Sequence, residues 1–98
     1  MSSISLDTPV KQHSELIAAD MNGEMALMSI ENGKYFVLNP VSSRIWELSE
    51  SPSTASQICQ QLQQEFDVEP VQCETEVLTH IQQMISESLI EIAHAPAA

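Results

Sequence analysis

The sequence predicts an α+β domain of winged helix-turn-helix type: a three-stranded antiparallel sheet followed by three helices. Three observations predict it. Two Asn-Gly pairs, Asn22-Gly23 and Asn32-Gly33, separate three apolar runs near the start of the chain. Asn-Gly is the strongest short hairpin signal, because the tight turn needs residues that tolerate positive φ. Beyond Pro40, apolar residues recur at helical spacing in three segments, divided by Ser51-Pro52-Ser53-Thr54 and by Asp67-Val68-Glu69. No internal repeat interrupts this βββααα order, and 98 residues leave room for one domain with one modest core.

Residues 1–13 are polar and read as a flexible N-terminal segment, residues 14–92 as the folded domain, and residues 93–98 as a flexible tail. Leu16-Ile17-Ala18-Ala19 is the first apolar run, closed by a turn at Asp20-Met21-Asn22-Gly23. Residues 24–31 are apolar at both odd and even positions, so this strand is expected in the middle of the meander. Lys34-Tyr35-Phe36-Val37-Leu38 is aromatic and aliphatic and forms the third strand, which keeps one free edge. Asn39-Pro40 then ends the strand and starts a helix. The Asn side chain can accept from a first-turn N–H, and Pro at the first helical position lacks a donor the helix does not use. This first helix spans residues 40–49, with Val41, Ile45 and Leu48 on one face and the only Trp, Trp46, beside them. The second covers residues 55–66 with Ile58, Leu62 and Phe66 spaced by four, and its glutamines form a solvated face. The third covers residues 70–88 with Val71, Val77, Leu78, Ile81, Met84 and Ile85 as its stripe. Leu89-Ile90-Glu91-Ile92 is β-branched and short, and makes either a last strand or a segment packed back on the core.

Charge narrows the partners. Three basic residues, Lys11, Lys34 and Arg44, face fourteen acidic ones, for a net charge of −11. Nucleic acids and anionic membranes are held mainly by Lys and Arg, so neither is a partner. A helix-turn-helix reader of DNA fits the element order, but the second and third helices carry no Lys or Arg to hold phosphates or read guanine. No secretory signal opens the chain and no run reaches the length of a membrane span. The chain therefore reads as cytoplasmic, with Cys59 and Cys73 as free thiols packed like small apolar residues.

The catalytic inventory is thin. His13 and His94 fall in the expected flexible segments, and His80 lies on the third helix four residues after Glu76. There is no Gly-rich phosphate loop and no metal-ligand spacing of Cys or His, so no cofactor, metal or enzymatic activity is expected. A phosphopantetheine carrier would share the acidity and the length. It needs Asp-Ser-Leu at the start of a central helix, however, and the nearest match is Glu87-Ser88-Leu89 at the end of the last one.

What remains is the strand edge at residues 34–38. An unpaired edge offers N–H and C=O groups to another strand, and only Lys34 guards this one. A peptide can add there through main-chain bonds, with side-chain pockets beside the third helix providing selectivity. A second copy of the chain can use the same edge, giving a homodimer that competes with peptide. Phe36 and Leu38 share one face of the strand and Tyr35 and Val37 the other, and one pair faces the core. A winged-helix regulator or protein-interaction subunit without a peptide ligand is the alternative reading.

At these residues the sequence resembles a known family. Gly33-Lys34-Tyr35-Phe36-Val37-Leu38-Asn39 followed by Arg44-Ile45-Trp46-Glu47-Leu48 is similar to the PqqD-like peptide chaperones, the recognition elements of pathways for ribosomally made, post-translationally modified peptides (RiPPs). Glu65-Phe66-Asp67-Val68 and Ser88-Leu89-Ile90 continue the likeness, which spans residues 14–92. Ser42 and Ser88 stand where that family commonly has Gly. The resemblance implies that the leader of a precursor peptide adds as a strand to Lys34, Tyr35, Phe36, Val37 and Leu38, in a groove walled by the third helix. The flank formed by Cys73, Val77, His80 and Met84, with Ile81 between it and the core, mixes apolar and polar side chains and is the expected wall. Val71, Leu78 and Ile85 are assigned to the core, and Trp46 to the fold. Among such proteins the chain resembles most the stand-alone type of lasso-peptide pathways. That likeness implies a separate maturation enzyme, such as a cysteine leader peptidase, as the second partner.

Overall fold

Asn22 and Gly23 take φ of 58° and 91°, the left-handed pair that a two-residue hairpin requires. In the computed structural model, which describes residues 4–93, they join β2 (Leu16–Met21) to β3 (Glu24–Ser29). The second Asn-Gly pair behaves differently. Only Gly33 has positive φ, at 70°, and Ser29 N–H donates to Lys34 C=O across a loop of residues 30–33. That loop leads to β4 (Tyr35–Leu38), so β2, β3 and β4 form the expected antiparallel meander with β3 in the middle.

The helices follow as predicted: α1 (Pro40–Leu48), α2 (Ala55–Glu65) and α3 (Pro70–Ser86). Asn39 caps α1 by accepting from Ser42 N–H at 2.8 Å, with Pro40 in the first turn. Thr54 and Gln57 close a reciprocal capping box on α2. The inner face of the meander (Met25, Leu27 and Leu38) packs with Ile45, Trp46, Ile58, Leu62, Val77, Ile81 and Met84 into one core. Arg44 reaches from α1 to Glu65 of α2 with two hydrogen bonds, 2.8 and 2.7 Å long. Those bonds hold the Glu65 carboxyl below its ordinary pKa.

Two features correct the sequence reading, and a third settles what it left open. Residues 9–12, assigned to a flexible segment, form β1 (Pro9–Gln12), and Val10 is fully buried. β1 pairs with β5 (Ser53–Thr54) on one side and β6 (Ile90–Ile92) on the other, making a second antiparallel sheet. Its sequence, Pro-Val-Lys-Gln, shows one core residue, and both its partners lie far along the chain, so no local pattern announces it. Residues 89–92, left open between strand and packing segment, supply β6. Val71, assigned to the core, is 67% exposed, while Leu78 and Ile85 are partly buried against the core. Val71 lies in the first turn of α3, before the helix meets the sheet. The expected tail falls outside the described residues apart from Ala93, as do residues 1–3 of the N-terminal segment.

The end of α3 explains one departure from the family pattern. Leu89 N–H donates to Met84 C=O and Ser88 N–H to Ile85 C=O, the paired bonds of a Schellman cap. Ser88 occupies its left-handed position, with φ of 63°. An L-residue there costs about 1–2 kcal/mol that glycine avoids. Ser88→Gly should therefore stabilise the fold by up to about 1 kcal/mol, once the greater freedom of unfolded glycine is deducted. Urea unfolding of the two proteins would show it as a higher midpoint at unchanged slope.

Candidate functional site

The site begins with the backbone of β4. In an antiparallel pair, residues alternate between turning their N–H and C=O toward the neighbour and away from it. Lys34 accepts from Ser29 on β3, and Phe36 and Leu38 stand opposite Leu27 and Met25 in the same phase. Tyr35 and Val37 therefore turn their main-chain groups to the other side, where no strand of the described residues pairs. Between them they offer two donors and two acceptors to an incoming chain. Side chains alternate at right angles to this. Leu38 is buried and Phe36 half-buried against the core, whereas Tyr35 and Val37 project outward, 61% and 55% exposed.

A single hydroxyl holds the end of this edge in place. Ser43 Oγ accepts from Met25 N–H at 2.8 Å and donates to Leu38 C=O at 3.0 Å, so it sits between two paired strands. It is 4% exposed and belongs to the first turns of α1, which fixes the angle at which the helix leaves β4.

α3 forms the wall beside β4, and two cavities lie along it. One, of about 180 Å³, opens between the strand and the helix, with Val37, Leu38 and Asn39 on one side and His80, Gln83, Met84 and Glu87 on the other. The second, of about 110 Å³, continues past His80 toward the start of α3. Val41, Leu62, Phe66, Val68, Cys73 and Val77 make it apolar, with Glu76 at its edge. His80 belongs to both and is half-buried, its Nδ1 3.2 Å from Ser42 Oγ. The serine found where the family commonly has glycine thus places a hydroxyl in the groove.

The structure brings most of the expected residues together. Val37, Leu38, His80 and Met84 line the cavity beside the strand, and Cys73, Val77 and His80 the apolar one. Lys34 and Tyr35 are exposed at the start of the edge. Phe36 faces the core, and Ile81 is fully buried and lines neither cavity. Cys73, Val77 and Met84 are themselves at most 5% exposed, so they form the floor of the groove instead of its rim. Gln83 and Glu87 were missed, although they follow His80 by three and seven residues and lie on its helical face. Val41, Phe66 and Val68 could not be found from α3 alone, since α1 and the α2–α3 connection bring them in.

The groove is apolar at one end and polar and acidic at the other. No Lys or Arg lines either cavity, and Glu76 and Glu87 give it negative charge. Among the described residues no cluster of His, Cys, Asp or Glu is arranged to hold a metal ion. Cys59 and Cys73 are free and buried, and burial beside Cys73 pushes the Cys59 thiol up to about 12, far from nucleophilic at neutral pH. No helix of the described residues is long and apolar enough to cross a membrane.

Comparison with known proteins places this geometry. The family model described as coenzyme PQQ synthesis protein D (PqqD) matches residues 24–90. No curated protein matches the chain. Among solved structures, TbiB1 in complex with the TbiA(beta) leader peptide superposes with a TM-score of 0.78 at 26% identity, covering 88% of this chain and 99% of that one. Lasso peptide synthetase B1 complexed with the leader peptide gives 0.74 at 18% identity, covering 84% and 96%. The PqqD truncation of Methylobacterium extorquens PqqCD, a stand-alone RiPP recognition element, gives 0.75 at 20% identity, covering 91% and 95%. The last two likenesses establish the fold, which is the winged-helix-like α+β fold expected.

Proposed function

The chain belongs to the PqqD family, and from that premise we propose that it binds the leader region of a ribosomally made precursor peptide. The leader adds as a fourth strand on the outer edge of β4, beside α3, and is presented to a maturation enzyme. The protein itself performs no chemistry. The observation that carries this reading is the coincidence of the unpaired main chain of Tyr35 and Val37 with a groove floored by Val77 and Met84 and lined by His80. Main-chain bonds along such an edge give affinity, and side-chain cavities give selectivity. The peptide-binding set is Lys34, Tyr35, Phe36, Val37, Leu38, Cys73, Val77, His80, Ile81 and Met84, with Phe36 and Ile81 acting from beneath as support. The recognition unit is residues 14–92, extended at its start by β1. TbiB1, solved with a leader peptide, supports leader binding, and the likeness of the strand-to-Trp46 motif to stand-alone lasso-peptide proteins favours a lasso-peptide pathway. The partner enzyme is then a separate cysteine leader peptidase, and the site of action the cytoplasm, where precursors are translated. A DNA-binding regulator is disfavoured because α2 and α3 carry no Lys or Arg.

The test is a fluorescence anisotropy titration with a labelled leader peptide taken from any short precursor reading frame found near the gene. Saturable, sequence-dependent binding is expected. Its affinity should fall as salt rises if the acidic groove selects Lys or Arg in the leader, since exposed charge interactions are screened within about 10 Å at 0.1 M salt. Absence of saturation by protein that sizes as a monomer would overturn the reading. Sizing also reveals whether a second copy occupies the edge.

A further inference from the structure

The meander has a second face that the core does not use. By strand alternation, Met25, Leu27, Phe36 and Leu38 point inward. Ile17, Met21, Ala26, Met28, Tyr35 and Val37 point outward, and the register sets Ile17 opposite Met28 and Ala26 opposite Val37. Ile17, Met21, Tyr35 and Val37 are each more than half exposed (53%, 54%, 61% and 55%), and no element of the described residues covers them. The side chains nevertheless form a continuous surface. Tyr35 reaches across from β4 to place its hydroxyl 4.0 Å from Met21 Sδ on β2, and Ala26 beneath is only 5% exposed. A contiguous apolar face of this kind on a small protein marks an interaction surface.

We propose that this outer face docks the leader-loaded protein onto its maturation enzyme, through an enzyme patch that is apolar at its centre and rimmed by Lys and Arg. The inference rests on the leader-binding reading. Two observations select this occupant. First, the face is continuous with the leader edge: a strand added to β4 places alternate side chains beside Tyr35 and Val37, so the loaded sheet presents a wider surface than the empty one. An enzyme that reads this surface distinguishes loaded from free protein. Second, the rim is acidic. Glu24 lies opposite Met21 at one end, and Glu15, whose C=O accepts from Ile30 N–H, is exposed at the other. Two copies packed face to face would oppose these carboxylates on chains of net charge −11, which disfavours self-association.

Ile17→Lys tests it, because β2 is the strand farthest from the leader edge; Met21→Lys serves if that variant does not fold. Each full-length variant is checked by thermal melting and titrated with the leader. It is then added to the full-length precursor that supplied the leader and to the enzyme that processes it. Leader affinity is expected to stay within twofold of the parent, while stimulation of processing falls at least fivefold. Undiminished stimulation, or a loss that merely follows leader affinity, would overturn the proposal. So would a parent protein that sizes as a dimer broken by the substitution, which would identify a second copy as the occupant. If the parent itself fails to bind leader, the reading beneath the proposal has failed instead.

Discussion

Val37→Pro is expected to weaken leader binding at least tenfold while leaving the protein folded. The Val37 N–H points away from β3 and is one of two donors on the open edge. Proline removes that donor, and its ring occupies the space where the incoming carbonyl would sit. A hydrogen bond contributes about 0.5–1.5 kcal/mol net, and tenfold in affinity is about 1.4 kcal/mol, so lost bond and lost space together reach that factor. Edge strands tolerate proline where the N–H faces solvent, which is why the fold should survive. Two controls sharpen the result. Val37→Ala keeps the donor and should bind within a few-fold of the parent. Phe36→Pro removes an N–H directed at β3 and should unfold the meander. Anisotropy with labelled leader, alongside circular dichroism, reads all three. A folded Val37→Pro variant with parental affinity would mean that the peptide docks elsewhere.

The largest effect on stability is expected at Trp46. The side chain is 7% exposed, and its Nε1–H donates at 3.0 Å to Leu89 C=O, tying α1 to the chain just beyond α3. Its own C=O accepts from Gln12 Nε2 at 2.8 Å, which brings β1 to the same point. Trp46→Ala opens a cavity and removes one of the two donors to Leu89 C=O, leaving His13 N–H at 3.1 Å, at a cost of about 3–5 kcal/mol. Domains of this size hold about 5–15 kcal/mol in all, so the variant should melt far below the parent or populate unfolded chain at room temperature. Trp46→Phe retains most of the packing and loses one of the two hydrogen bonds to Leu89 C=O, for about 0.5–1.5 kcal/mol. Denaturant unfolding separates the two. Leader binding by the folded fraction should match the parent, because Trp46 lines neither groove cavity. Weaker binding by fully folded Trp46→Phe would assign the residue to the site.

Local chemistry made much of this protein legible. Asn22-Gly23 specified a hairpin because few other pairs accept two positive φ angles. Asn39-Pro40 specified a helix start because its cap and first residue suit one geometry. The free edge of β4 could be read from the order of three apolar runs and their turns. The α3 flank that faces the groove could be picked from its mixture of His80 with apolar neighbours, but that mixture did not separate floor from rim. Met84 and Val77 are apolar and lie beneath the surface, while the polar residues in front of them, Gln83 and Glu87, were passed over. β1 was missed because one buried valine in Pro-Val-Lys-Gln carries no period.

By itself the sequence determined the three helices, the meander with its open third strand, the acidic character of the chain, and most of the residues that line the groove. Only the tertiary structure decided that Tyr35 and Val37, and not Phe36 and Leu38, turn outward. It also decided that β1 and β6 complete a second sheet, and that α1, α2 and α3 converge on an apolar cavity beside His80. The reason is the range of the interactions. Turns, caps and helical stripes are set by residues a few positions apart. Sheet partners and cavity walls are set by residues tens of positions apart, and only the docking of whole elements brings those together.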